Sequence, residues 1–358
     1  MSRAAARAIW LAGARGEALQ LGALHRAIVD PLPRPERDRH VFITTGEQAM
    51  PLVQAIDRLG LHPHEAFEPR HPAEDPAIRL HGLMAEIEGE ERRRRADRVI
   101  FSGFGATAAA AALVAHARGC RALWVRPPCP LGLHRLQHWE SGLTRVVETL
   151  ADRIDAPPIG RVHDAAPAVA PIEAPPPRDR RPGAPLVLIS VGRAIWGYRG
   201  VYARLARTAA HWARAIPETD FLIIRNLDAR LEGALDSMPD RPANLLAVPP
   251  MPYSEYEALL NEARAVLTDS DYVAAEAQSR AIPLIAMTES PPSAPAPPSI
   301  DLRFITDAEL DSAETESSLR AALERPAKSI SIPRPFFQPS QALIRSAVDW
   351  IETAAPSG

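Results

Sequence analysis

Cysteine and lysine are scarce in this chain of 358 residues, which contains two cysteines, Cys120 and Cys129, and one lysine, Lys328. Two cysteines are too few for a disulfide scaffold or a cysteine-based zinc cluster, and a reducing cytoplasm is the simplest setting for such a chain. A single lysine excludes most mechanisms that depend on a lysine side chain. The sequence therefore predicts a cytoplasmic protein whose chemistry uses other groups.

Long apolar runs are also missing, because no stretch approaches the roughly 20 apolar residues of a membrane-spanning helix. The N-terminal segment carries Arg3 and Arg7 and has no uninterrupted apolar core. We therefore interpret Ala8–Ala12 as a first strand and not as part of a signal peptide. No membrane span is predicted.

The chain has no excess of positive charge, since 41 Lys and Arg face 44 Asp and Glu and the formal net charge is −3. Such a balance argues against a nucleic-acid partner, which needs a basic surface to hold the phosphate backbone. The arginine run at 92–95 follows Glu88, Glu90 and Glu91. This pattern predicts a helix face with alternating charges and not a phosphate-binding patch.

Two loose groups of possible metal ligands occur, and neither has the spacing of a metal site. The first comprises His62, His64 and His71 without a companion cysteine or carboxylate. The second, His134 and His138 with Glu140, lacks the glutamate directly after the first histidine that a zinc peptidase needs. Neither a metal ion nor another cofactor is predicted.

Short apolar runs alternate with helix-compatible stretches along most of the chain. The predicted strands cover residues 8–12, 40–45, 98–102, 121–125, 186–191, 221–225, 245–248, 265–267, 283–287 and 302–305. Helices are predicted over residues 18–29, 48–59, 78–95, 106–117, 139–154, 201–215, 253–263, 316–323 and 340–351, with a further one around Glu276. This alternation is typical of α/β proteins with parallel sheets.

Proline density divides the sequence into two halves, because nine prolines lie between residues 157 and 185 and prevent regular structure there. Residues 1–160 are predicted to form an N-terminal Rossmann-like domain, 161–185 a Pro-rich linker and 186–335 a C-terminal Rossmann-like domain. Residues 336–358 are predicted to hold a C-terminal helix that can cross back to the first domain. Two doubly wound domains facing a central cleft would place the ligand in that cleft.

Two candidate ligand-facing turns follow predicted strands. The first is the glycine-containing turn from Gly13 to Glu17, and the second is Thr268-Asp269-Ser270. Ligands of parallel α/β sheets bind at the carboxyl ends of strands, where the N–H groups of a following helix can hold a phosphate. A simple helix N-cap at Ser270 is the alternative.

These residues also carry a resemblance to a known family. The segment from Pro-Met-Pro-Tyr at 250–253 through Leu-Thr-Asp-Ser at 267–270 and Glu276 to Ile-Pro-Leu-Ile at 282–285 resembles the carboxyl-terminal half of the non-hydrolysing UDP-N-acetylglucosamine 2-epimerases. That family carries P-x-x-Y, L-T-D-S-G-G-x-x-E-E and G-K-P-V segments, and its opening G-T-R-P-E resembles residues 13–17. The resemblance implies a GT-B fold, with two Rossmann-like domains that bind a UDP-sugar.

The resemblance also assigns roles to individual residues. It implies that Glu140 is a catalytic carboxylate and that Arg15, Glu17, Ser270 and Glu276 bind the substrate, with Glu276 accepting hydrogen bonds from the ribose hydroxyls. Structural roles remain alternatives: Glu140 as a surface residue, Arg15 as the partner of Glu17, and Ser270 as a cap.

At other positions the chain departs from the family pattern. The carboxylate of the family's H-G-D-T, the glutamate of its H-V-E-A-G and the histidine of its T-x-H-R fall on Phe104, Arg126 and Gly192. The two glycines of its S-G-G fall on Asp271 and Tyr272. A carboxylate at residue 271 would repel a diphosphate. Because removing one acid–base group typically costs about 10²–10⁴-fold in rate, epimerase chemistry is not predicted to survive these replacements unchanged.

Three hypotheses about function follow. The first is a UDP-N-acetylglucosamine 2-epimerase-like protein that binds a UDP-sugar or related nucleotide, in cell-surface polysaccharide or amino-sugar metabolism. The second is a GT-B glycosyltransferase that uses a nucleotide-sugar donor. The third is a non-catalytic scaffold or regulatory pseudoenzyme. An active protein would thus be an isomerase or a glycosyltransferase, and a homodimer is compatible with each hypothesis.

Overall fold

The computed structural model of the protein describes residues 6–45, 65–66, 76–127, 138–156, 180–192, 200–225, 229–249, 251, 253–290, 302–325 and 339–353. The predicted helix over 48–59, most of the predicted linker and the histidines His62, His64, His71 and His134 lie outside these residues. None of the helices within the described ranges is long and apolar enough to cross a bilayer.

The described part of the chain contains two six-stranded sheets in which all neighbouring strands are parallel. The strands of the first sheet are β1 (Ala8–Ala12), β2 (His40–Thr44), β3 (Glu65–Ala66), β4 (Arg98–Ser102), β5 (Arg121–Arg126) and β6 (Asp152–Asp155). The strands of the second sheet are β7 (Leu186–Ser190), β8 (Asp220–Ile224), β9 (Leu245–Val248), β10 (Ala263–Thr268), β11 (Leu284–Thr288) and β12 (Leu302–Thr306).

Helices connect most of these strands. In chain order they are α1 (Arg15–Val29), the one-turn α2 (Arg34–Arg37), α3 (Pro76–Arg94), α4 (Ala106–Arg118), α5 (His138–Leu150), α6 (Val201–Ala215), α7 (Ala229–Asp236), α8 (Tyr253–Glu262), α9 (Asp271–Ser279), α10 (Ala313–Glu324) and α11 (Gln341–Glu352).

The two sheets have the same topology. The first has the order β3-β2-β1-β4-β5-β6. The second, read from the opposite edge, has the order β9-β8-β7-β10-β11-β12. When the six strands of each half are numbered from one, both orders are 3-2-1-4-5-6. This is the strand order of the Rossmann fold. The prediction of two doubly wound parallel sheets is confirmed.

Each sheet belongs to a compact unit with its own core. Among the described residues, the first unit comprises those up to 156 together with 339–353, and the second comprises those from 180 to 325. Every residue of the central strands β1 and β4 is buried. This explains why β1 reads as a continuous apolar run, and why β4 is apolar between Arg98 and Ser102, without an alternating pattern.

Helix α11 contributes to the core of the first unit although it comes last in the chain. Leu343, Ala347, Trp350 and Ile351 are buried in the same cluster as residues of the first sheet. The side chain of Arg98 donates to the Thr353 carbonyl oxygen at 2.7 Å. These contacts satisfy carbonyl groups at the C-terminus of α11, which the helix itself leaves without partners.

The prediction of a helix up to residue 154 was wrong at its end. Helix α5 ends at Leu150, and β6 forms the edge of the first sheet. Three of the four β6 side chains are exposed, so the strand has no apolar alternation for a sequence pattern to detect. Cross-sheet contacts stabilise it instead, including an ion pair between Arg121 and Asp152 at 3.2 Å.

Other differences are smaller. The two-residue β3 and helix α7 were not predicted. The predicted charge pairing on α3 is confirmed, since Arg92 pairs with Glu88 at 2.7 Å and Arg94 with Glu90 at 3.5 Å. Arg92 and Arg94 therefore form ion pairs within α3.

Candidate functional site

Each sheet has one topological switch point, from which successive strands are added first toward one edge of the sheet and then toward the other. In the first unit this point lies between β1 and β4, and in the second between β7 and β10. Ligands of doubly wound proteins bind beyond the carboxyl ends of the strands at such a point. Residues that follow β1, β4, β7 and β10 are therefore the candidates for ligand contact.

The turn after β1 is held by the Glu17 side chain. Its carboxylate accepts hydrogen bonds from the Gly13 N–H at 2.7 Å and from the Ala14 N–H at 3.1 Å. Because Ala14, the N-cap of α1, has no side-chain oxygen, Glu17 supplies only one half of a capping box. Glu17 thus shapes the corner at which β1 becomes α1.

The same carboxylate lies against the backbone that follows β4, the neighbour of β1 in the sheet. Gly103 follows β4 with φ +90°, and a Cβ atom at this residue would lie 1.8 Å from Glu17 Oε1. Only glycine fits there, since it tolerates this backbone conformation and leaves room for the carboxylate. The structure therefore gives Glu17 a structural role, and its substrate-binding role stays a prediction.

Arg15 and Glu140 lie at the same edge of the first sheet. Arg15 is the first residue of α1 and Glu140 the third residue of α5, and both are half-buried. The helices follow β1 and β5, which are separated only by β4. At about 4.8 Å between neighbouring strands, these strand ends lie about 10 Å apart.

Phe104 belongs to an apolar corner of the first unit. Its ring packs edge-to-face on Trp124 with 5.6 Å between centroids, and it is buried. The Trp124 indole donates to the Gly103 carbonyl oxygen at 2.9 Å, and the Arg126 guanidinium lies 5.9 Å from the same ring. The Phe104 side chain has no group that can accept or donate a proton.

In the second unit a buried carboxylate joins the ends of β7 and β10. Both oxygens of Asp269, which is 2% exposed, lie within 3.2 Å of the Gly192 N–H. The Thr268 hydroxyl donates to the Ser190 carbonyl oxygen at 2.7 Å and accepts from the Ser270 N–H at 3.1 Å. These bonds fix the backbone at the point where a ligand is expected.

Ser270 is the N-cap residue of α9. It has an extended backbone, and its hydroxyl makes no capping hydrogen bond to the described residues of that helix. Its side chain is half-buried, whereas that of Asp271, the next residue, is buried. An acidic residue in the first turn interacts favourably with the helix dipole, which gives Asp271 a structural role.

Glu276 lies further along α9 and is only 2% exposed. Its carboxylate oxygen Oε1 accepts a hydrogen bond from the Tyr253 hydroxyl of α8 at 2.7 Å. Burial, followed by the nearby charge of Glu276, raises the pKa of Tyr253 well above its ordinary value. Tyr253 therefore stays protonated and acts as a hydrogen-bond donor.

A buried arginine continues this contact between α8 and α9. The Arg280 guanidinium donates to Asn261 at 2.8 Å, to Glu257 at 3.2 Å and to the Glu276 carbonyl oxygen at 3.1 Å. Its side chain is 1% exposed. The ion pair with Glu257, whose side chain is 20% exposed, helps to offset the burial of the guanidinium.

The structure thus groups the predicted site residues by unit. Arg15, Glu17 and Glu140 lie along one edge of the first sheet, and Ser270 and Glu276 lie on one helix of the second unit. Sequence reasoning did not assign roles to Tyr253 and Arg280, although Tyr253 belongs to the P-x-x-Y segment. Within the described ranges, no group of three or more histidines, cysteines and carboxylates could hold a metal ion.

Two parallel sheets of Rossmann order in one chain define an α/β protein of the GT-B-like class. No protein-family model and no curated protein matches the sequence. Solved structures do match. The UDP-GlcNAc 2-epimerase of Neisseria meningitidis bound to UDP-GlcNAc superposes with a TM-score of 0.69 at 12% identity, covering 96% of this chain and 99% of that one.

Two further structures agree over similar lengths. The UDP-GlcNAc 2-epimerase of Methanocaldococcus jannaschii in complex with UDP-GlcNAc and UDP has a TM-score of 0.69 at 14% identity and covers 96% of this chain and 99% of its own. The Rickettsia bellii UDP-N-acetylglucosamine 2-epimerase has a TM-score of 0.66 at 11% identity and covers 97% and 96%. At these identities the likeness establishes the fold.

Proposed function

We propose that this chain binds UDP or a UDP-sugar at the carboxyl edge of its second sheet. The observation that carries the proposal is the placement of Ser270 and Glu276 on α9, the helix that begins at the switch point between β7 and β10. Nucleotides bind at this position in Rossmann-type units. Support also comes from structures of the same fold that contain UDP-GlcNAc.

Each proposed contact follows from the chemistry of the group. The N-terminus of α9 offers backbone N–H groups and the Ser270 hydroxyl to a diphosphate, against the repulsion of the Asp271 carboxylate in the first turn of the same helix. The Glu276 carboxylate would accept the ribose hydroxyls. In the first unit, Arg15 and Glu17 are the proposed substrate-binding residues and Glu140 is the proposed acid–base group.

The reaction is a separate part of the proposal. Epimerisation at C2 needs a base for a carbon-bound proton, and the packed Phe104 cannot serve as one. This observation favours the second candidate function, a glycosyltransferase that uses a nucleotide-sugar donor. We place either activity in the cytoplasm, in the metabolism of cell-surface polysaccharides or of amino sugars.

Ligand binding is tested by calorimetry and thermal unfolding with UDP and UDP-GlcNAc. A ligand present at 100 times its Kd stabilises the folded state by about 2.7 kcal/mol, so a clear rise in Tm is expected. Glu276→Gln should weaken binding about 10-fold, which is the size of one charge-assisted hydrogen bond. Glu255→Gln, on an exposed residue of α8, is the matched control. An unchanged Tm at millimolar ligand would refute the proposal.

The reaction is tested by proton NMR of UDP-GlcNAc in deuterated water. Exchange of the C2 proton would indicate epimerisation, and release of UDP without exchange would indicate a transferase. If Glu140 is the acid–base group, Glu140→Gln should lower either rate about 10²–10⁴-fold. Binding without either reaction would leave the non-catalytic hypothesis.

A further inference from the structure

We propose that Tyr253 is a positioning residue for nucleotide recognition, because its hydroxyl holds the Glu276 carboxylate in one orientation toward the ribose of the bound ligand. The inference rests on the proposed function, since it names the residue that sets the geometry of the proposed ribose acceptor. Its basis is the hydrogen bond of 2.7 Å between Tyr253 Oη and Glu276 Oε1.

The two helices present their partners in register. Tyr253 and Glu257 are one turn apart on α8, and Arg280, the C-cap residue of α9, follows Glu276 by one turn. Tyr253 bonds to Glu276, and Glu257 bonds to Arg280. Residues four apart lie on the same helix face, so these bonds form two rungs between one face of α8 and one face of α9.

The second rung fixes the backbone from which Glu276 projects. Arg280 donates to the Glu276 carbonyl oxygen at 3.1 Å and to the Asn261 side chain at 2.8 Å. This arrangement ties the C-terminal turn of α9 to α8 but makes no contact with the carboxylate itself. The side-chain torsions of Glu276 are restrained by the first rung, in which Tyr253 is the donor.

Restraint of this kind matters because the acceptor is a flexible side chain. A glutamate loses rotamer entropy when it is fixed in one orientation. If Tyr253 fixes the Glu276 side chain before the ligand arrives, this entropy loss does not weaken ligand binding. A tyrosine that remains protonated can only donate to a carboxylate, so the orientation does not change over the physiological pH range.

The charge and burial of the site act in the same direction. Glu276 is 2% exposed, and the Tyr253 ring is buried beside it. A carboxylate in a low-dielectric environment makes stronger hydrogen bonds than one in water. A ribose hydroxyl that reaches a fixed and desolvated carboxylate is therefore recognised more strongly than one that meets a mobile surface glutamate.

The test measures the Kd of the full-length chain for UDP and for 2′-deoxy-UDP by calorimetry at constant salt. Wild type should bind UDP about 10-fold more tightly than the deoxy analogue, which lacks one hydroxyl. Tyr253→Phe should remove most of this discrimination by weakening UDP binding about 10-fold and changing deoxy-UDP binding less than about 2-fold. A residue that only stabilises the fold would weaken both ligands equally.

Tyr256→Phe is the matched control. Tyr256 is buried on the same helix with its ring 6.0 Å from that of Tyr253, and its replacement should leave the ratio of the two Kd values unchanged. Glu276→Asp is a second variant, which keeps the charge and withdraws the carboxylate by one methylene. It should lose discrimination whether or not Tyr253 acts, so it tests the proposed ribose contact. Tyr253→Met, which also lacks the hydroxyl, tests the role of Tyr253 if Tyr253→Phe does not fold.

The outcomes separate this inference from the proposed function. Absence of UDP binding by wild type would overturn both. If wild type discriminates ribose and Glu276→Gln does not, the proposed contact stands. Discrimination retained after loss of the Tyr253 hydroxyl would then overturn the role of Tyr253. Tighter UDP binding by Tyr253→Phe would also overturn it, because it would show that the tyrosine competes with the ribose for the carboxylate.

Discussion

His40 is a titratable side chain in the interior of the first unit. It begins β2 and is 6% exposed, and its Nδ1 atom accepts a hydrogen bond from the Trp10 indole at 3.4 Å. Burial lowers the pKa of His40 from 6.5 to about 4, although the carboxylate of Asp97 acts in the opposite direction. The folded protein therefore holds this imidazole neutral at pH 7.

We predict that His40 makes the first unit sensitive to acid. In the unfolded chain the imidazole binds a proton as the pH falls below about 6.5, whereas in the folded chain it does so only near 4. Stability is thus present above the unfolded pKa and is lost as the pH falls toward 4, by about 3 kcal/mol. Urea unfolding from pH 7 to pH 4 should show this loss in wild type and not in His40→Gln.

His116→Gln is the control for this prediction, because His116 is exposed on α4. It should retain the wild-type dependence of unfolding free energy on pH. If His40→Gln and wild type lose the same stability between pH 7 and pH 4, the histidine does not carry the effect.

At the scale of single elements, α11 shows how much one helix contributes to a unit that is distant in sequence. Trp350 is 9% exposed, its indole donates to Asp152 at 2.7 Å, and the Arg121 guanidinium lies 4.4 Å from the centre of its ring. The same arginine donates to the Thr353 carbonyl oxygen at 2.9 Å. The ring therefore links the C-terminal helix to β5 and β6.

We predict that Trp350→Ala destabilises the first unit by about 3–5 kcal/mol, the usual cost of removing a buried aromatic side chain. Trp350→Phe keeps most of the packing and loses the indole N–H, so about 1 kcal/mol is expected. Hydrogen exchange of β1 and β4 amides measures both effects. Arg345→Ala, on the exposed face of α11, should leave exchange unchanged, and equal protection in Trp350→Ala would contradict the prediction.

The elements that the sequence predicted well are those with buried apolar faces. Strand β4 and helix α6 occur at their predicted bounds, because continuous apolar runs and helical periodicity report burial directly. Strand β6 was missed because its charged side chains are stabilised by residues distant in sequence, Arg121 and Trp350. Single-sequence patterns contain no information about such contacts.

The candidate site was predictable to a similar extent. The position of Ser270 at the start of α9 follows from a strand-to-helix transition that the sequence displays. The bond between Glu17 and the backbone of its own turn, and the bond between Tyr253 and Glu276, depend on side-chain geometry. Such partners become known only when the packing of the helices is known.

At the scale of the whole molecule, the described residues of the second unit form one stretch of chain, 180–325, whereas those of the first unit come from both ends of the chain. The second unit is anchored from its first described residues, since the Arg181 side chain and main-chain N–H donate to Asp220 at 2.7 and 3.0 Å. Asp220 is 1% exposed. The first unit is completed only by residues 339–353, which lie after the whole of the second. The two units should therefore differ in their capacity to fold alone.

We predict that a fragment of residues 180–335 unfolds cooperatively in urea, because it retains its sheet, its core and the contact between Arg181 and Asp220. A fragment of residues 1–160 exposes the apolar surface that α11 buries, and it should be several kcal/mol less stable than the same unit in the full chain. Adding a peptide of residues 336–358 should restore stability in a concentration-dependent manner, since binding to the folded state shifts the equilibrium.

Circular dichroism and hydrogen exchange of the 1–160 fragment, with and without the peptide, measure this effect. A peptide with Trp350→Ala is the control and should restore little, because Trp350 supplies the ring that Arg121 and Asp152 contact. If the 1–160 fragment is as stable without the peptide as the first unit is in the full chain, the C-terminal helix is an accessory. Restoration by the wild-type peptide alone would show that the N-terminal sheet depends on the last helix of the chain.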